Sequence, residues 1–167
     1  SLKYDNNQVY VWGTYSISKT LRNDGVEKYP THFDRIHNVN FLFSYSFGKD
    51  LDWETSLRWN LGSGFPFTLT KGFYEELNIG QDVDFLNNNG DIGVIYGERN
   101  QGRLPYYHRL DFSVRKHFYF GENTDLEVIA SVTNAYNRPN VFYFDRLSYT
   151  RIDQLPIMPA IGLSLSF

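Results

Sequence analysis

Apolar and polar positions alternate along most of this chain, and the alternation is cleanest from Leu110 to Phe120. Leu110, Phe112, Val114, Phe118 and Phe120 fall on one face, and Arg109, Asp111, Ser113, Arg115, His117 and Tyr119 on the other, as in a strand with one apolar and one wet side. A polar turn, Gly121 to Asp125, leads into a second run in which Leu126, Val128, Ala130 and Val132 oppose Glu127, Ser131 and Thr133. The two runs predict a β-hairpin. Both apolar sets share a face only if paired residue numbers sum to an even value, and pairing Phe120 with Leu126 satisfies this without a bulge. A slip by one residue would put Arg115 and Glu127 among the phenylalanines.

The same period recurs elsewhere. Val9 to Lys19 sets Val9, Val11, Gly13, Tyr15 and Ile17 against Thr14, Ser16 and Ser18, with Tyr10 and Trp12 blurring the pattern. Val39, Phe41, Phe43, Tyr45 and Phe47 oppose Asn38, Asn40, Ser44 and Ser46. Trp53, Leu57, Trp59 and Leu61 oppose Glu54, Ser56, Arg58 and Asn60, in a strand read as running on to Thr68, and Phe47 opposite Trp53 keeps the two apolar sets together. Ile161, Leu163, Leu165 and Phe167 alternate with Gly162, Ser164 and Ser166. Ser1 and Leu2 read as the end of a strand, so the chain is expected to open in mid-fold.

Short connections (Lys3 to Gln8, Gly48 to Asp52, Gly121 to Asp125) alternate strictly with long ones (20–36, 70–104, 135–159). Within the last, Val141 to Leu147 is read as continuing a strand beyond the rest of the sheet. Loops this long are uncommon in a compact soluble domain. Six strands of about the 9–11 residues that cross a bilayer at a tilt, with short turns on one side and long loops on the other, describe an outer-membrane barrel wall. Phe47, Trp53, Phe118, Phe120 and Phe167 would cluster at the short-turn rim and Trp59, Phe65 and Phe67 toward the long-loop rim, as interfacial aromatic girdles. Lys116 falls on the proposed lipid face and is expected to snorkel to an interface.

Composition narrows the choice. In 167 residues there are 13 Tyr, 14 Phe and 3 Trp against a single Met, a usage suited to pleated surfaces rather than helices. No window holds the roughly 18 consecutive apolar residues of a membrane-spanning helix, and alternating strands escape such a test because half their residues are polar. The absence of cysteine excludes disulfides and thiolate metal sites, and a net charge of -3 supplies no basic footprint for nucleic acid. The first residues carry neither the charged nor the apolar region of a signal peptide.

Candidate chemistry is sparse. Asp34, Arg35 and His37 sit where a loop meets a strand and are read as a rim network rather than catalytic groups. Asp82, Asp84, Asn87, Asn89 and Asp91 offer oxygen ligands, but Leu86 and Asn87 stand where a calcium-binding EF-hand loop wants oxygen and Gly, so a solvated loop is preferred. Gly62-Ser63-Gly64 lacks the spacing of a nucleophile elbow. His32, His37, His108 and His117 make no zinc pattern. No catalytic residue and no metal ligand is assigned, no cofactor is expected, and the chain is read as a non-enzyme. The inward charges Glu54, Arg58, Arg109, Asp111, Arg115 and Glu127 remain as candidates for lining a polar lumen or a substrate path.

Five short runs carry a resemblance. Arg103-Leu104-Pro105-Tyr106-Tyr107-His108-Arg109-Leu110-Asp111 resembles the "RLP.YhRLD" signature in the closing strands of TonB-dependent outer-membrane receptors. Phe33-Asp34-Arg35-Ile36-His37-Asn38-Val39-Asn40 is similar to that family's "yDRrHdlN", with Ile36 replacing the usual basic residue. Ser63-Gly64-Phe65-Pro66-Phe67-Thr68 resembles "SGxPyT", and Val132-Thr133-Asn134-Ala135-Tyr136-Asn137-Arg138-Pro139-Asn140 resembles "vyNlyNrxN". Leu155-Pro156-Ile157-Met158-Pro159, followed by a terminal aromatic strand, resembles the family's chain end.

The resemblance implies an all-β, antiparallel transmembrane β-barrel wall: about six C-terminal strands of a larger, 22-stranded barrel. Residues 1–167 would be the C-terminal part of one barrel domain, without the plug domain or the N-terminal strands. It further implies multi-pass insertion in the outer membrane of a Gram-negative bacterium and active uptake of a scarce nutrient. The implied partners are the inner-membrane TonB energising complex, reached through the plug, the barrel-assembly machinery, which would read Phe167, and outer-membrane lipid and lipopolysaccharide. A surface lipoprotein or another outer-membrane subunit is allowed as a partner; nucleic acid is not. The rival readings are a passive porin or translocation component, which lacks a plug, and a soluble ligand-binding barrel, which would turn the apolar face inward.

Overall fold

A computed structural model describes residues 1–76, 91–120, 124–145, 147, 148 and 150–167. Two compact units emerge. A sheet unit comprises Ser1–Lys19, Arg35–Gly64 and Pro105–Phe167, and a loop unit comprises Thr20–Asp34 and Phe65–Leu104.

The sheet unit is all antiparallel, with seven strands hydrogen-bonded in strict chain order: β1 (Leu2–Asp5), β2 (Val9–Ile17), β3 (His37–Phe47), β4 (Trp53–Gly62), β5 (Tyr107–Phe120), β6 (Thr124–Thr133) and β7 (Met158–Ser166). The three short connections therefore lie at one end of the sheet, and the three long ones leave from the other. β1 and β7 form its edges, each paired on one side only. With an odd number of antiparallel strands, the two edges run in the same direction. Pairing them with each other would be parallel, so these strands alone cannot close an all-antiparallel barrel.

Registers align one apolar face across all seven strands. One row runs Tyr4, Val11, Phe43, Leu57, Phe112, Val132, Pro159. The next rows run Val9, Tyr45, Thr55, Val114, Ala130, Ile161, and then Phe47, Trp53, Lys116, Val128, Leu163. The opposite face carries rows such as Tyr10, Ser44, Ser56, Ser113, Ser131. Ladder geometry makes this unavoidable, because side chains of paired residues project to the same side.

The apolar face has no cover. Among the described residues no Val, Ile, Leu, Met or aromatic side chain is buried, Pro66 of the loop unit is, and the buried polar ones are Asp34, Ser63, Asn134 and Asn140. Ile161 is 81% exposed and Leu163 72%. A soluble domain of this size buries its Ile, Leu, Val and Phe side chains first, so burial here is inverted.

Several predicted boundaries move, each for a local reason. The turn expected over Lys3 to Gln8 shrinks because the Asn6 side chain accepts hydrogen bonds from Gln8 N (2.9 Å) and Val9 N (2.6 Å), which leaves Leu2–Asp5 to pair as a seventh strand. The strand expected to reach Thr68 ends at Gly62. There the Ser63 amide donates to the His37 carbonyl at 2.9 Å while the Ser63 hydroxyl accepts from His37 N at 3.1 Å. The β5–β6 hairpin keeps the required parity but pairs Phe120 with Thr124 and Phe118 with Leu126, two residues from the Phe120–Leu126 pairing expected, because Thr124 and Asp125 join the strand rather than the turn.

The loops hold more structure than their composition suggested. Leu21–Asn23 pairs with Lys28–Pro30, Thr70–Glu76 with Asp91–Tyr96, and Pro66–Phe67 with Gly102–Arg103. Val141–Phe144 does not prolong a sheet strand as expected but pairs with Arg151–Asp153 in a separate ribbon. That connection is anchored by asparagines: Asn134 donates to the carbonyls of Arg138 (3.0 Å) and Leu155 (3.2 Å), and Asn140 bonds both His108 N and His108 O. Asn134, at φ 55°, is a residue type that tolerates this left-handed backbone.

Candidate functional site

The polar face of the sheet carries all six charges expected to face inward. Glu54 on β4, Arg115 on β5 and Glu127 on β6 form a cross-strand chain, with Arg115 3.6 Å from each carboxylate. Glu54 also accepts from the Ser44 hydroxyl at 2.7 Å, which carries the chain to β3. His117 extends it, with Nδ1 3.0 Å from Asp125 and Nε2 3.7 Å from Glu127. Like charges at Glu54 and Glu127 are thus separated by a guanidinium that reaches both, the arrangement a partly hydrated face needs.

Above this cluster the row of Ser44, Ser56, Ser113 and Ser131 is uncharged. Ser56 and Ser113 share a hydrogen bond at 2.7 Å, Asn60 donates to Asn40 at 2.6 Å, and Asn40 donates to Thr14 at 3.3 Å. Arg109, in register with Asn60, and Asp111, in register with Arg58, pair within one strand at 2.8 Å, and Asp111 also accepts from Asn134 N at 3.0 Å. Arg58 stands apart. It pairs in register with Leu42 and Asp111, yet its side chain is exposed and makes no ion pair among the described residues. Of the six predicted lumen charges, the fold therefore joins three, pairs two locally and leaves one open. His117 and Asp125 belong to the joined set and were not singled out from sequence, although the alternation had already put His117 beside Arg115.

Lys116, the one charge on the apolar face, bonds Asp52 in the β3–β4 turn and lies 4.7 Å from the centre of the Trp53 ring and 5.4 Å from that of Phe118. The ammonium is thereby directed to the short-turn end of the sheet, where Phe47 and Trp53 stack at 6.0 Å. Trp59 does sit toward the other end of the sheet, whereas Phe65 and Phe67 belong to the loop unit. Lys116 holds the Asp52 carboxyl below its ordinary 3.8, chiefly by hydrogen bonding and secondarily by charge. A depressed carboxylate pKa means that the tie is present above the ordinary value and is lost as pH falls through the lowered one. A variant retaining Trp53 as its only tryptophan should thus change emission with a midpoint below pH 3.8, and Asp52→Asn should abolish the transition and show the acid spectrum at neutral pH.

In the loop unit, Asp34 is 1% exposed. It accepts from Thr20 N at 2.6 Å and forms an ion pair with Arg103, which also donates to the Asp34 carbonyl at 3.2 Å. Sequence reading placed Asp34 in a rim network but did not find Arg103 as its partner. Arg35 and His37 belong to the sheet unit: Arg35 lies over the Tyr107 ring at 5.1 Å, and His37 bonds the Tyr15 hydroxyl at 2.9 Å. Asp34 thus holds the Thr20 amide, whereas the Arg35–Tyr107 and His37–Tyr15 contacts join side chains. Among the described residues no group of three His, Cys, Asp or Glu is disposed to hold a metal ion. The oxygen-rich run from Asp82 to Asn89 lies outside the described residues, and of Asp91 only the strand position is described.

No family model, no curated protein and no solved structure matches this chain.

Proposed function

We propose that this chain forms part of the wall and outer loops of a transmembrane β-barrel in a Gram-negative outer membrane, and that the barrel is a TonB-dependent receptor importing a scarce nutrient. One observation carries the membrane half of this reading: an apolar face continuous over seven strands, none of whose apolar side chains is buried. Lipid satisfies such a face without a second protein layer, and further strands pairing with the β1 and β7 edges would remove the open backbone. The aromatic rim around Trp53 and Lys116 supports the same reading. The receptor half rests on the five sequence runs, and it assigns the charged polar face to a lumen that faces a plug. Energy would enter through the inner-membrane TonB complex, and insertion would use the barrel-assembly machinery.

Tryptophan position tests the membrane half. Trp53 and Trp59 lie on the apolar face and Trp12 on the polar one. Variants keeping one tryptophan each, in bilayers with brominated acyl chains, should show strong quenching for Trp53 and Trp59 and far less for Trp12. Equal quenching, or a water-soluble protein with none, would sink the lipid-facing assignment and restore the soluble barrel. Uptake that persists after the proton-motive force is collapsed would replace the receptor with a passive pore.

A further inference from the structure

The loop unit contains a concavity of about 340 Å3 beside the hairpin of Leu21–Asn23 and Lys28–Pro30. Its size falls at the lower end of small-molecule sites. Leu21, Tyr29 and Phe33 supply apolar and planar walls, and Phe33 is 59% exposed, with His32 edge-on to it at 5.0 Å. Arg22 also lines it and has no partner among the described residues. No carboxylate lines the space. The nearby acids are already neutralised: Arg99 holds Asp24 at 3.0 Å and Glu27 at 3.3 Å, and Arg103 holds Asp34. The Thr31 hydroxyl, at its wall, is shielded from water and lacks a hydrogen-bond partner.

The walls are held in place by neighbouring chain. Arg99 also donates to the Tyr29 hydroxyl at 3.3 Å and lies 5.2 Å from the ring centre, while Asn100 donates to the Pro30 carbonyl at 2.8 Å. A site with one uncommitted guanidinium and braced planar walls matches a particular ligand chemistry. The guanidinium pairs two-pronged with a carboxylate, the aromatic walls take a flat apolar group, and fixed walls lower the ordering cost of binding. We infer that this concavity binds a small aromatic carboxylate. The inference rests on the proposed function only in assigning the pocket to the nutrient-facing side.

The test is a 19F NMR titration of the intact protein, purified in detergent, with 4-fluorobenzoate and with the uncharged 4-fluorobenzamide. Saturable broadening of the benzoate signal is expected, with the amide bound at least about tenfold more weakly because the charge-assisted bond is lost. Arg22→Gln should weaken benzoate by about tenfold or more, Arg22→Lys by less, and Phe33→Ala several-fold. Both residues are exposed, so these variants leave the fold intact. Broadening that does not saturate, or that neither Arg22→Gln nor Phe33→Ala changes, would overturn the site. Because no transport is measured, a negative titration would leave the barrel reading standing, and passive uptake would leave a positive titration standing.

Discussion

Leu57→Arg is expected to lower the stability of the bilayer-inserted protein by about 2–4 kcal/mol, the range for a cation on the lipid face of a barrel near the midplane. Leu57 lies mid-strand in the apolar row, between Phe43 and Phe112, too far from either rim for an easy snorkel. Ser56→Arg, one residue earlier, should cost only about 1 kcal/mol, set by the lost hydrogen bond to Ser113. Denaturant titration of the two variants refolded into vesicles measures the difference. If the apolar face instead lined the core of a soluble barrel, Leu57→Arg would abolish folding in water and the protein would not enter vesicles at all. Equal, small costs at both positions would leave neither face apolar in its surroundings and would contradict the lipid assignment.

Asp34→Ala should destabilise the loop unit by about 3 kcal/mol. Removing one partner of a buried ion pair costs roughly 3–5 kcal/mol, and the lower end applies because Arg103 retains 29% side-chain exposure and can recover some water. The amide of Thr20 loses its acceptor in the same step. Hydrogen exchange should therefore accelerate in Leu21–Asn23 and Lys28–Pro30 while protection of β3 to β6 is unchanged. Asp34→Asn should fall between, since its amide oxygen can still accept from Thr20 but cannot neutralise Arg103. Uniform loss of protection across both units would show that Asp34 supports the whole chain rather than its loops.

Much of the sheet can be read from the residues in order. Alternation identifies the strands because a pleated chain has a side-chain period of two, and a one-residue slip would expose Arg115 and Glu127 to the apolar side. Parity of pairing follows from the same fact, as does the pairing of Phe47 with Trp53. That Glu54, Arg115 and Glu127 share the polar face is legible for that reason too. Alternation cannot count the residues a turn consumes, so the β5–β6 register lies two residues from the simplest guess, and the strand read as ending at Leu2 runs on to Asp5 beside the Asn6 turn.

Contacts between distant segments needed the fold. Asp34 and Arg103 are 69 residues apart, and Asp52 and Lys116 are 64 apart. Nothing in local pattern links such pairs, because each charge is satisfied by whatever the topology brings near. Apart from Val141–Phe144, which reads as strand but not with its partner, the loop strands escaped for a related reason: short strands pair only when their ends are already held. The sequence by itself determined an all-β chain with one apolar and one polar face, since that property repeats every second residue. Which polar groups meet, how the loops fold, and that no apolar side chain of the sheet is buried were decided only by the tertiary structure, because these depend on what lies across the sheet.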